Sequence, residues 1–227
     1  GTSVVSERQS PAGRLAAASG PFIVASRVGD FSQFWKTSAL GIVDDDRIDA
    51  SINVAEAINV RYAVPVTQEV LLVGEVAQVS IPTDQVITPT NFRVSAATSN
   101  SIDTLAEPVT AGRSLFLPFS TSAFAGLLES TTTGIDGLKN TRNITETVPR
   151  YLRGQIRSLT VSDSVGALFA LTTQDPSRVY VYQWVDQGNQ RQQSAMSYWD
   201  MGDDAEVVDI RTLDGFLYVV VRREDGV

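Results

Sequence analysis

Four apolar, strand-like runs recur along this chain at a spacing that few folds produce. They are Glu69-Val-Leu-Leu-Val-Gly74, Ser114-Leu-Phe-Leu-Pro-Phe119, Gly166-Ala-Leu-Phe-Ala-Leu171 and Gly215-Phe-Leu-Tyr-Val-Val220, each accompanied by further strand-like runs. With Leu71, Leu115, Leu168 and Leu217 as equivalent points, the gaps are 44, 53 and 49 residues. One four-stranded blade of a β-propeller takes about 40 to 50 residues, so the spacing predicts consecutive blades. A weaker match lies upstream in Arg14-Leu-Ala-Ala-Ala18, Phe22-Ile-Val-Ala25 and Phe31-Ser-Gln-Phe-Trp35. The fold class this predicts is all-β: a β-propeller-like array of antiparallel blades, with one short helix and a long polar loop.

Alternation and turn residues place strands at 61–66, 69–73, 77–81, 92–96 and 115–119. Four more, at 156–161, 167–171, 179–184 and 195–199, make one complete blade by count, and another opens with 207–210 and 215–221. Ile48, Ile52, Val54, Ala55 and Ile58 are spaced by three and four, which predicts the short helix, with Ser51 or Asn53 as its N-cap. Residues 130–147 are polar and glycine-bearing and read as the exposed loop, a candidate docking surface. Residues 1–13 are polar and aperiodic, expected to be unstructured or a tag or fragment end. Residues 14–227 form the propeller-type domain, expected to be incomplete at both ends and part of a longer chain.

The chain has no cysteine and no histidine, which removes disulfides, thiolate chemistry, Ser-His-Asp and Cys-His nucleophilic systems and the commonest transition-metal ligand. Its net charge of -8 argues against a surface that wraps nucleic acid by neutralising phosphates, though not against one that DNA passes. No run approaches the ~18 apolar residues of a membrane-spanning helix.

Among acidic groups, Asp44, Asp45 and Asp46 with Asp49 nearby could offer oxygen ligands to calcium, but they lack the ligand spacing and glycine of an EF-hand loop. A solvated charge run, or charge at a helix N-terminus, is favoured. Asp200, Asp203 and Asp204 around Gly202 read as a turn between blades. No carboxylate pair is singled out for glycoside hydrolysis; no catalytic residue, metal site or cofactor is expected, and the chain reads as a non-enzyme. The densest basic region is Lys139, Arg142, Arg150, Arg153 and Arg157; the last three would share a face if 149–158 were helical. Because arginine's planar fork suits carboxylates, these five are candidates for a subunit or partner contact. Phe34, Trp35, Trp184, Tyr198 and Trp199 are candidates for packing between blades rather than for stacking on sugars.

Seven stretches fall in the order found in the tail tubular protein B (tail nozzle) family of short-tailed, podovirus-type phages. They are Ser26-Arg-Val-Gly-Asp-Phe-Ser-Gln-Phe-Trp-Lys-Thr-Ser-Ala39, Val43-Asp-Asp-Asp-Arg-Ile-Asp-Ala50, Tyr62-Ala-Val-Pro-Val66, Glu69-Val-Leu-Leu-Val-Gly-Glu-Val-Ala-Gln-Val79, Ile87-Thr-Pro89, Val148-Pro-Arg-Tyr-Leu152, and the pair Val179-Tyr-Val-Tyr-Gln-Trp184 and Ala195-Met-Ser-Tyr-Trp199. The chain resembles that family over residues 14 to 225, departing locally at Arg47 and Val66. The resemblance implies a structural virion protein located in the tail. It would be a subunit of a six-fold nozzle ring, a homohexamer around the distal DNA-ejection channel, with the tail adaptor ring and tail fibres as partners and DNA only as passing cargo. A propeller-type carbohydrate-binding or polysaccharide-degrading module is the alternative reading of the same residues.

Overall fold

The computed structural model describes residues 4–6, 13–37, 41–53, 58–66, 69–133, 138–187 and 190–223. Among them there are nineteen strands and no helix. The chain divides into two compact units, Gly1–Ser101 and Ile102–Val227, where the repeat led us to expect one run of sheets from residue 14.

In the first unit, β1 (Val4–Ser6), β2 (Ala16–Ser19), β3 (Phe22–Ala25) and β4 (Ile48–Ser51) form one antiparallel sheet in chain order. A second, also in chain order, comprises β5 (Val60–Val66), β6 (Glu69–Gly74), β7 (Gln78–Pro82) and β8 (Ser95–Thr98). Ile23, Ile48, Ile52, Ile58, Leu72 and Val79 form the core between them. Sequence expectations fail here at three places. Ile48–Ser51, assigned to the approach and N-cap of the helix, is strand β4, which pairs from Phe22↔Ser51 to Ala25↔Ile48; residues 54–57 lie outside the described residues. Ile48, Ile52 and Ile58 all bury into one core from a strand and its connection, so their spacing mimics a helical stripe. Phe31 to Trp35 is turn rather than strand, next to an isolated Arg27↔Asp30 bridge. Within 1–13, Val4–Ser6 pairs with β2 and so is not unstructured.

The second unit begins with β9 (Val109–Ala111), β10 (Ser114–Thr121), β11 (Phe124–Thr133) and β12 (Leu138–Asn143) in sequential order, with β13 (Leu152–Arg153) also beside β11. Next come β14 (Ile156–Ser162), β15 (Ala167–Thr172), β16 (Arg178–Gln187) and β17 (Gln190–Asp200), then the hairpin of β18 (Ala205–Leu213) and β19 (Phe216–Arg223). The long loop expected over 130–147 is therefore largely a hairpin, with Thr131 opposite Asn140 and Glu129 opposite Arg142. Its threonines are polar but β-branched, and such residues suit a half-exposed pleated surface. Residues 134–137 lie outside the described residues.

The repeat points Leu71, Leu115, Leu168 and Leu217 fall on β6, β10, β15 and β19, the second strand of their respective sheets. Strand β15 shows why these runs are apolar without alternation. Leu168 and Ala170 enter the core shared with the β9–β12 sheet, while Ala167, Phe169 and Leu171 enter the core shared with β18 and β19. A strand covered on both faces reads as a continuous hydrophobic run. Asp214 and Gly215 join β18 to β19 with positive φ at both, the requirement of a two-residue type I′ hairpin.

Gly166, where β15 begins, has φ +63°, and a Cβ there would lie 2.7 Å from the Trp184 carbonyl oxygen. The backbone comes this close because the Trp184 N–H donates to the Gly166 carbonyl at 2.9 Å. Gly166→Ala is expected to destabilise the chain by about 2 kcal/mol through strained φ and backbone crowding. The check is urea unfolding followed by tryptophan fluorescence.

Candidate functional site

The structure distributes the five basic candidates instead of gathering them. Lys139 and Arg142 lie on β12, Arg153 on β13 and Arg157 on β14, while Arg150 is exposed in the preceding turn. Residues 149–158 contain no helix, so the shared arginine face does not form.

Arg142 turns instead to Glu129, donating Nε and Nη2 to Oε2 at 2.9 and 2.6 Å. Glu129 is only 1% exposed, and two more strands serve it. Ser114 on β10 donates to Oε1 at 2.8 Å, and Arg191 on β17 donates to both carboxylate oxygens at 3.0 and 2.8 Å. Arg191 also meets Asp186 at 2.7 Å and the Tyr182 hydroxyl at 3.0 Å, and its guanidinium sits 5.0 Å from the Trp184 ring centre. Burial pulls the Arg191 pKa down, but Asp186, Glu129 and Tyr182 outweigh it and hold it above its ordinary value. Since β11 and β12 belong to one sheet and β17 to the next, Glu129 is an ionic pin between sheets. An ion withdrawn from water needs such saturated pairing. Sequence reasoning missed both Glu129 and Arg191. The available signal was Glu129 as the lone charge in the ten-residue strand Phe124–Thr133.

Arg157 makes a second link. It occupies a bulge in β14, between Ile156 and Ser158, and reaches a matching bulge in β18 between Val207 and Asp209. There it donates to the carbonyls of Val207 and Val208, the latter at 2.8 Å, and also to that of Thr172 on β15 at 3.3 Å. Bulges re-aim side chains in this way. Farther along the same two strands, Ser158 donates to Asp209 at 3.1 Å, the Thr160 and Thr212 hydroxyls meet at 2.8 Å, and Thr212 donates to the Val161 carbonyl at 2.7 Å.

Arg153 is exposed and lies 3.7 Å from Asp175, which also accepts the Tyr180 hydroxyl proton. Burial, reinforced by Asp175, raises the Tyr180 pKa. Arg178 stacks on Tyr198 at 4.5 Å and pairs with Asp200 at 3.1 Å. The Gly202 N–H, then Arg178, hold the Asp200 carboxyl below its ordinary range, while Asp203 and Asp204 are exposed in the turn.

The Asp44-Asp-Asp46 run is not simply solvated. Asp46 is buried and accepts from the Thr37 N–H at 3.1 Å, the Thr37 hydroxyl at 2.7 Å and the Val43 N–H at 3.2 Å. Asp45 pairs with Arg27. The buried Arg14 donates to the backbone carbonyls of Asp44 and Ser26 at 2.7 and 2.9 Å, and also to that of Asp46. Asp49 instead pairs with Arg47 at 3.1 Å. Among the described residues no group of three or more His, Cys, Asp or Glu is placed to share a metal ion.

The Thr37 and Val43 hydrogen bonds hold the Asp46 carboxyl below its ordinary range. A carboxyl so depressed contributes stability above its unfolded pKa, about 4, that is lost as pH falls through the lower folded value. Thermal scans of the wild-type chain should therefore show a loss of stability below about pH 4 that is shallower in Asp46→Asn.

Of the five aromatic candidates, Trp184 packs against Phe116 and Tyr182 with ring centres 5.3 and 5.6 Å away. Tyr198 lies against Tyr151 and Tyr180, and Trp199 against Phe169 on β15. Phe34 is half-buried, whereas Trp35 is 62% exposed and outside any strand.

Comparison with known proteins complements this geometry. A yeast (Saccharomyces cerevisiae) chain, from a complex of dbp5 with nup159, gle1, IP6 and ADP, matches with a TM-score of 0.51 over 91% of this chain and 48% of its own. At 12% identity that likeness is one of fold alone. Tail tubular protein gp12 of Escherichia phage T7 is 26% identical over 212 residues, 93% of this chain. The chain spans 27% of that relative's length. The family model for the bacteriophage nozzle protein matches residues 12–227. Covered by that model over residues 12–227, the chain belongs to the bacteriophage nozzle protein family.

Proposed function

We propose that this chain is the propeller-type part of a nozzle subunit. Six copies of the whole protein form a ring at the distal end of a short tail, around the channel through which DNA leaves, with an adaptor ring above and tail fibres at the side. The observation that carries this reading is the nozzle-family match over residues 12–227. The propeller-type architecture draws support from sheets whose strands follow chain order, and from neighbouring first strands, β14 and β18, linked by the Thr160–Thr212 bond. The role is mechanical, not enzymatic: Glu129, Asp46 and Asp175 are engaged in holding sheets and loops.

Arg150 and Arg153, both exposed, are the basic candidates best placed to reach a neighbouring subunit, although Arg153 also lies beside Asp175; Arg142 and Arg157 bond within the chain. The β11–β12 hairpin is the candidate fibre dock. Shortening it should weaken fibre attachment, and attachment that survives intact removes that role.

The net charge of -8 suggests how DNA passes. A wall of net negative potential repels the phosphate backbone and lets it slide without adhering. An electron cryo-microscopy map of the assembled tail tests this directly: acidic and neutral side chains should dominate the inner wall, and a wall lined mainly by lysine and arginine contradicts it. Turnover or saturable binding of host-envelope glycans by the purified protein would instead support a carbohydrate-active module.

A further inference from the structure

Residues 26–47 connect β3 to β4, although Ala25 and Ile48 already pair and about two to five residues suffice to close a hairpin. This long connection is braced across its two legs. The Val28 N–H donates to the Asp45 carbonyl at 3.1 Å, Arg47 donates to the Phe34 carbonyl at 2.8 Å, and the Thr37 hydroxyl donates to Asp46 at 2.7 Å. From outside it, the buried Arg14 bonds the carbonyls of Ser26, Asp44 and Asp46, and the Gly29 N–H donates to the Gly13 carbonyl at 2.9 Å. Two buried ions, Arg14 and Asp46, therefore serve to fix a loop.

The fixed loop turns apolar side chains outward. Val28, Phe31 and Trp35 on the first leg are 39%, 55% and 62% exposed, and Ile42 and Val43 on the return are 54% and 45% exposed. None of the five belongs to the core of this unit. Withdrawing ions from water costs stability unless they are fully paired, and here the pairing shapes a surface rather than a core. A braced loop that displays large apolar residues is a preorganised contact surface.

Charge indicates what it meets. Asp30, Asp44 and Asp49 are exposed here against exposed Lys36, whereas Arg27 and Arg47 are tied to Asp45 and Asp49. A rim of net acidic charge repels its own two-fold mate, so a second copy must be met through a different patch. Such head-to-tail contacts are the kind that close rings. The chain carries a patch of the complementary kind. Arg150 and Arg153 are exposed on either side of Tyr151, whose ring lies 5.9 Å from that of Tyr198; Tyr198 is 42% exposed and has Arg178 stacked on it at 4.5 Å. Arginine and aromatic side chains are the types enriched at the energetic centres of protein interfaces.

We infer that the braced loop carrying Phe31, Trp35 and Val43 is one half of a head-to-tail contact between copies of this protein, and that it seats on the surface around Arg150, Arg153 and Tyr198 of the next copy. The inference rests on the ring reading proposed above and names the surfaces that close the ring.

The test uses the full-length protein that carries this chain. Photo-crosslinking from p-benzoylphenylalanine at position 31, in assemblies mixed from isotopically heavy and light subunits, should join heavy to light chains within residues 148–153 or 196–200. Cross-links confined to like-labelled chains show that the loop is covered by its own polypeptide and overturn the inference, and heavy-to-light cross-links that land elsewhere overturn it too. Trp35→Ala should raise the concentration needed for ring formation at least about tenfold. Because Trp35 lies outside the core, its melting temperature should stay at the wild-type value. Rings that form at the wild-type concentration overturn the inference. A wild-type protein that forms no ring at all overturns the ring reading and this contact together, whereas a ring whose cross-links fall elsewhere overturns this contact alone.

Discussion

Glu129→Ala should lower the unfolding free energy of the second unit by about 3 kcal/mol, because removing one partner of a buried ion network strands the others. Glu129 accepts from Ser114, Arg142 and Arg191 at once, and Arg191 is itself largely buried. Losing the carboxylate leaves Arg191 with Asp186 and the Tyr182 hydroxyl as its polar partners in that pocket. The cost differs by partner. Arg142 has a half-exposed side chain, so Arg142→Ala should cost only on the order of 1 kcal/mol after solvent screening. Replacing Glu129, Arg142 and Arg191 together with leucine or methionine should recover much of the loss, as apolar replacement of buried ion clusters often does. Urea unfolding monitored through Trp184 and Trp199 orders these variants. A Glu129→Ala chain within about 0.5 kcal/mol of wild type would show that the pin contributes nothing.

Phe116→Ala should cost about 4 kcal/mol, the range for emptying an aromatic site in a packed core. Phe116 is fully buried on β10, and its ring meets Trp184 at 5.3 Å and Tyr182 at 6.4 Å in the next sheet. Its removal loses both transfer free energy and the contacts that hold one sheet on another. At this chain length the midpoint temperature should fall by roughly 10 °C, measurable by calorimetry. Phe116→Leu refills part of the volume and should cost clearly less. Equal losses for the two variants would mean that ring contacts, rather than filled volume, set the stability there.

Much of this architecture was legible because second strands such as β10 and β15 are buried along consecutive residues. The runs around Leu115 and Leu168 announce themselves without any alternation, and Asp214-Gly215 signals its own hairpin. What was not legible came from polar residues doing structural jobs. The threonines near 131 suggested a loop because polarity was read without their β-branching. Ile48, Ile52 and Ile58 suggested a helix because one core collects them from differently shaped segments. The arginine cluster dispersed for a related reason: Arg142 and Arg157 are far apart in partners, Glu129 in one case and bulge carbonyls in the other. Neither partner can be found from charge spacing, since the bulges in β14 and β18 leave no local sequence mark. Glu129 could have been suspected as a lone charge in a strand, but not its pairing with Arg191, 62 residues away.

We propose that this chain works as part of a tail ring. The most direct measurement is the mass and shape of the native particle formed by the full-length protein, by light scattering together with electron microscopy. Six equivalent copies around an open central hole are expected. A compact monomer under the same conditions would contradict it.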